Sequence, residues 1–219
     1  MKTSICHWIQ SCCLVSALLL SGCKNNNGTL IPIEYLPVQI SEGDNWSIID
    51  KNGQVIIKEE YSSDCFLTKV SDGMFWVRTN GKYQLFSIDS PKKAITDEEF
   101  SSVTNFNSGV AAVSNPNQAI RIINTNGETV ATLPKSVKRC YEFSRSGYAY
   151  FMNSDNKMGI IDVNGNVRLS ADYSELSGDL REGIILARKG GDDKKFLILG
   201  INGNAIGDID TEKYFDLYG

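Results

Sequence analysis

Apolar residues along the chain come in short runs of four to six, separated by turns, and the runs recur. One set follows a glycine: Met74–Arg78, Val110–Val113, Tyr148–Met152 and Ile184–Arg188. A second set covers Trp46–Asp50, Tyr83–Ile88, Ala119–Ile123, Met158–Asp162 and Phe196–Leu199. A third covers Gln54–Ile57, Glu128–Thr132 and Asn166–Leu169. The runs are rich in Val, Ile and aromatics, and beyond the first 23 residues none has a helical period. They predict antiparallel β-meanders.

Three markers share one period. Asn-Gly pairs stand at 52–53, 126–127, 164–165 and 202–203, spaced 74, 38 and 38, with Ser90-Pro91 in the skipped place. Asp72-Gly73, Ser108-Gly109, Ser146-Gly147 and Glu182-Gly183 are spaced 36, 38 and 36 at the glycine. Acidic-aromatic pairs stand at Glu60-Tyr61, Glu99-Phe100 and Asp172-Tyr173. Cut at the second marker, the chain gives five units of about 37 residues: 36–72, 73–108, 109–146, 147–182 and 183–219. A sheet this small cannot bury its faces alone and must stack on its neighbours. The expected fold is all-β, five tandem meander repeats in a propeller-like array, with an open β superhelix as the alternative. Asn-Gly between apolar runs predicts two-residue type I′ hairpins, which makes Gly53, Gly165 and Gly203 structural.

The repeat pattern resembles the WG repeat family, whose members carry Trp-Gly, a short strand ending in Asp, a Gly turn, an apolar strand and an acidic-aromatic pair. Trp46-Ser47-Ile48-Ile49-Asp50-Lys51-Asn52-Gly53 fits with Ser47 in place of Gly, and Met158-Gly159-Ile160-Ile161-Asp162-Val163-Asn164-Gly165 fits with Met158 in place of Trp. Ser108-Gly109-Val110-Ala111-Ala112-Val113 keeps a further motif of such repeats. The resemblance spans residues 36–219 and marks a divergent member. It implies a repeat architecture and no single activity.

The first segment has a different character. Lys2 precedes the apolar run Cys12–Leu20, whose nine residues are too few to span a bilayer. This is the pattern of an export signal, expected over 1–22. Leu20-Ser21-Gly22-Cys23 resembles the lipobox of bacterial lipoproteins, which implies cleavage before Cys23 and acylation of its thiol. Several acyl chains give stable membrane anchoring where one does not. Residues 23–35 then serve as lipidated N-terminus and tether, the polar stretch Lys24–Thr29 supplying flexibility. In lipoproteins an Asp after that cysteine implies retention at the inner membrane, so the resemblance, with Lys24 in that place, implies the outer membrane. The expected location is the bacterial cell envelope, on the surface or in the periplasm.

Composition narrows the chemistry. The chain has 219 residues, 22 Lys+Arg against 26 Asp+Glu and one His. A weakly acidic chain lacks the basic face of a nucleic-acid binder. The histidine is His7, inside the signal, so the mature part of 197 residues offers no Ser-His-Asp or Cys-His catalysis and no His-ligated metal. Cys65 and Cys140 remain beside Cys23; a disulfide is open to an exported protein, and two buried thiols are the simpler reading. No cofactor motif or catalytic constellation is present, and Asp50-x-Asn52-Gly53 lacks the Glu a calcium loop needs. The expected function is a non-catalytic binding module for a protein or glycan. The alternative is a carboxylate-based glycan-active enzyme on a propeller-like scaffold. Candidates for a ligand site are Asp192 and Asp193 in the longest turn, and Tyr214 and Tyr218 near the C-terminus.

Overall fold

The computed structural model describes residues 34–39, 43–190 and 195–210, and among them there is no helix. The chain divides into two compact units, Met1–Ser63 and Asp64–Gly219. The first holds sheet I: β1 (Tyr35–Val38), β2 (Trp46–Asp50) and β3 (Val55–Tyr61), all antiparallel. Trp46 faces Tyr61 and Ile48 faces Ile57 across β2 and β3. Pro37 sits on the edge strand β1, where its missing N–H costs no ladder bond.

The second unit repeats that meander with one strand more. Sheet II is β4 (Phe66–Leu67), β5 (Met74–Thr79) and β6 (Lys82–Ser87), extended by a bridge from Tyr83 to Phe100. Sheet III is β7 (Ser102–Val103), β8 (Val110–Ser114), β9 (Arg121–Asn124) and β10 (Thr129–Thr132). Sheets IV and V are continuous: β11 (Val137–Cys140), β12 (Tyr148–Asn153), β13 (Met158–Asp162), β14 (Val167–Ser177), β15 (Ile184–Lys189), β16 (Lys195–Gly200) and β17 (Ala205–Asp210). The first part of β14 pairs with β13 and the last with β15, Tyr173 belonging to both. The marker glycines Gly73, Gly109, Gly147 and Gly183 each lie between the first and second strands of a sheet.

The sheets of this unit stack face to face, which is why their runs are continuously apolar. In β8, Ala111 and Val113 join Trp76, Leu85, Phe100 and Phe106 in the core between sheets II and III. Val110 and Ala112 point the other way and join Ile122, Leu133, Phe143, Ala149 and Phe151 between sheets III and IV. Ile160, Leu169, Leu176, Ile185 and Leu199 form the third core, between sheets IV and V. A strand buried on both faces loses the alternation of a half-exposed one. Each buried Ile, Leu or Phe contributes about 1.5–3 kcal/mol.

The turn chemistry differs from the expectation. Gly53, Gly127, Gly165 and Gly203 have φ of 78–82°, but the asparagines before them do not have positive φ, so these are not type I′ hairpins. In the first of them, Gly53 N donates to Asp50 O and Asp50 N to Gln54 O, a three-residue turn with glycine in the left-handed place. The side chain ending the strand holds it: Asp50 Oδ1 accepts from Asn52 N and Gln54 N, both at 2.8 Å. Asn124 and Asp162 do the same in sheets III and IV. The strand-terminal Asp of the repeat is therefore a turn former. Type I′ geometry falls at Asp72-Gly73, Asn80-Gly81 and Ser108-Gly109, where both residues have positive φ.

Gly159 has another reason. A Cβ there would stand 2.5 Å from Leu169 O and 2.6 Å from the Phe151 ring, which crosses over it from the opposite strand.

Candidate functional site

The register aligns the sheets of the second unit residue by residue. Leu67 pairs Val77, Val103 pairs Val113, Cys140 pairs Phe151 and Leu176 pairs Ala187. One residue on, Thr68 N donates to Trp76 O, Thr104 N to Ala112 O and Tyr141 N to Tyr150 O. Lys69, Asn105, Glu142 and Gly178 thus occupy one repeat position, just past the first strand.

Three of these four meet. Glu142 Oε1 accepts from Lys69 Nζ at 3.0 Å and from Asn107 Nδ2 at 2.9 Å, and Oε2 accepts from Asn105 Nδ2 at 2.7 Å. One carboxylate ties together the first-strand ends of sheets II, III and IV. Its charge is offset by Lys69, while Lys138 and Arg139 of β11 stand nearby with Arg139 stacked 4.7 Å over the Tyr141 ring. The rim of this edge is therefore cationic on a chain that is net acidic.

A second ring of bonds runs through the marker itself. Asp72 Oδ2 accepts from Gly109 N at 2.8 Å, Ser108 Oγ donates to Ser144 O and Arg145 O, and Ser146 Oγ donates to Leu180 O at 2.9 Å. Asp72, Ser108 and Ser146 each fasten their loop to the corresponding loop of the next sheet. The period seen in the sequence is a period of inter-sheet latches.

An open depression of about 320 Å³ follows β7, whose two residues leave the edge of sheet III short. Thr68, Thr104, Asn105, Ala112, Arg139 and Tyr141 are among its walls. Among the described residues lining it, Glu142 is the one carboxylate. General acid–base hydrolysis of a glycoside uses two. The Cys140 thiol at its wall is pushed up to about 12 by burial, which removes it as a nucleophile near neutral pH. No disulfide joins Cys65 and Cys140, and Cys65 Sγ hydrogen-bonds with Thr79 Oγ1 at 3.1 Å.

Cys23, Asp192, Asp193, Tyr214 and Tyr218 lie outside the described residues. Lys69, Asn105 and Glu142 escaped the sequence reading because they are three different residue types at one repeat position. Aligning the units on the marker glycine would have exposed them, four or five residues upstream of it.

The model of the WG containing repeat matches the chain twice, over residues 46–83 and 158–191. No curated protein matches it. Solved structures do. Hsv2 of Kluyveromyces lactis superposes with a TM-score of 0.53 at 14% identity, over 79% of this chain and 60% of that one. A form named KlHsv2, with loop 6CD replaced by a Gly-Ser linker, gives 0.55 at 14%, over 83% and 66%. A eukaryotic initiation factor gives 0.54 at 14%, over 81% and 51%. At such identity the likeness is one of fold, that of β-propeller and repeat proteins. The chain spans about three fifths of the length of the first structures it matches.

Proposed function

We propose that this chain is a lipid-anchored lipoprotein of the bacterial envelope whose β-repeat domain is a non-catalytic interaction module. The observation that carries the reading is the convergence of first-strand ends on Glu142 beside an open, mixed polar and aromatic depression. Successive repeats present different side chains at one position there, which is how a repeat scaffold builds a recognition surface. The partner is a protein or a glycan. Anchoring rests on Leu20-Ser21-Gly22-Cys23, with the acylated Cys23 as mature N-terminus and Lys24 favouring the outer membrane.

Two experiments test it. Fractionation of cells should find the protein with membranes, carrying acyl mass on Cys23, and Cys23→Ser should release it; an unmodified, soluble wild type refutes the anchor. A photo-crosslinking residue at Arg139 should capture a partner in intact cells, and the same residue at Val167, exposed at the start of β14, should not. Equal crosslinking at both positions, or none at Arg139, refutes the binding face. Hydrolysis of a glycan that disappears in a folded Glu142→Gln variant would instead establish an enzyme.

A further inference from the structure

Trp76, Ala112, Tyr150 and Leu186 are equivalent positions of the second strand, each set by the register of its sheet. Two of them share a distinctive role. Trp76 reaches from sheet II to sheet III, stacks 5.8 Å from Phe106, and donates its Nε1–H to Thr104 O at 2.8 Å. Tyr150 reaches from sheet IV to sheet V and donates its hydroxyl to Gly178 O at 3.1 Å. Each is an aromatic wedge between neighbouring sheets, with a donor on its tip that meets a carbonyl at the neighbour's first-strand end. Between sheets III and IV the same place is held by Ala112, whose methyl group cannot cross the gap. That is where the 320 Å³ depression opens, with Ala112 on one wall and Tyr141 and Glu142, equivalent to Thr104 and Gly178 or their neighbours, on the other.

We infer that this depression takes an aromatic side chain carrying a hydrogen-bond donor, a Trp or Tyr presented by a polypeptide partner, in the place that Trp76 and Tyr150 fill elsewhere. The inference rests on the binding face proposed above and names its occupant. The volume admits an indole with room for adjoining backbone. Ile120 and Cys140 supply apolar wall and Thr104 and Asn105 polar rim. By register Tyr141 and Glu142 hold the repeat positions of Thr104 and Gly178, the acceptors of the internal wedges, with Tyr141 O otherwise meeting the Cys140 thiol at 3.5 Å. Trp and Tyr are the residues that most often anchor protein interfaces, because a large rigid ring costs little conformational entropy to bury. Lys138 and Arg139 at the rim suit a partner segment with a carboxylate near that aromatic residue.

The test uses the full chain and small probes. N-acetyl-tryptophanamide and N-acetyl-tyrosinamide should bind saturably in the millimolar range and shift the NMR signals of the Ala112 methyl group and of Tyr141. N-acetyl-phenylalaninamide, which has the ring without the donor, should bind at least several-fold more weakly. Ala112→Tyr should supply the missing wedge: probe binding is lost while the melting temperature holds or rises. If that variant does not fold, Ala112→Val narrows the same space and should weaken the tryptophan probe several-fold. Undisturbed probe binding in either folded variant, no binding of either probe to the wild type, or binding of a chitin oligosaccharide in place of the probes overturns the inference. Partner crosslinking at Arg139 that survives Ala112→Tyr overturns the aromatic anchor and leaves the binding face standing; loss of crosslinking at Arg139 in the wild type removes both.

Discussion

Gly165 and Gly109 share a backbone conformation and differ in surroundings, which separates the cost of a left-handed turn from the cost of inter-sheet packing. Their φ values are 78° and 76°. An alanine at Gly109 would meet nothing within 4 Å, whereas at Gly165 its Cβ would stand 2.8 Å from the Cβ of Ala131 and 3.4 Å from Leu133. The left-handed conformation alone costs a non-glycine residue roughly 1–2 kcal/mol. The overlap at Gly165 is Cβ against Cβ with no flexible end to yield, so backbone must move, at about 1–3 kcal/mol more. Gly109→Ala should therefore cost about 1–2 kcal/mol and Gly165→Ala about 2–5 kcal/mol. In a chain this size each kcal/mol lowers the melting temperature by about 2–4 °C. Urea titration of both variants, followed by circular dichroism, gives the two values. Adding Ala131→Gly to Gly165→Ala removes the overlap and should recover most of the difference. Equal costs for the two single variants, or no recovery in the double variant, would show that the sheet IV turn does not pack on β10.

Other expectations follow from the same contacts. Ser108→Ala removes the latch to Ser144 O and Arg145 O and should cost about 1 kcal/mol, read as a lower urea midpoint. At Asp162, burial pushes the carboxyl up, but hydrogen bonds from Asn166, the Arg168 guanidinium and Asn164 outweigh it and hold the carboxyl below its usual range. A depressed native pKa adds stability above the unfolded value, near 3.9, and that stability is lost as pH falls through the native one. Asp162→Asn keeps the turn acceptor, as Asn124 does in sheet III, so it should be less stable at pH 7 by about 1 kcal/mol and lose less between pH 5 and 2. Cys65 is half-buried and Cys140 buried, with its thiol raised to about 12, so iodoacetamide at pH 8 should label Cys65 in the native protein and Cys140 only on unfolding. Equal labelling rates would contradict the burial of Cys140.

Much of the architecture was legible in the chain because it is written locally and repeated. Strand runs, turn glycines and the period of about 37 each depend on residues close in sequence, and repetition reinforced the signal. The assignment of type I′ geometry to the Asn-Gly pairs went wrong for a physical reason. The dipeptide suits either a two-residue or a three-residue turn, and the Asp50, Asn124 or Asp162 side chain supports the longer one, which the chain also adopts at Gly200–Asn204 without such a cap. The strands β4, β7 and β11 do not stand out as apolar runs, because β4 and β7 are two residues long and β11 carries Lys138 and Arg139 between its buried ends.

What the tertiary structure alone decided is which residues of different units meet. Nothing in the residue types Lys69, Asn105 and Glu142 announces that they converge, since they lie 36 and 37 positions apart and differ in charge. Nor does an alanine announce a cavity: Ala112 becomes informative only once the stacking of sheets shows Trp76 and Tyr150 filling the equivalent gaps. Local pattern fixes the repeating unit because backbone turns and strand periodicity are short-range. A site made from the differences between units exists only after the units are packed against one another.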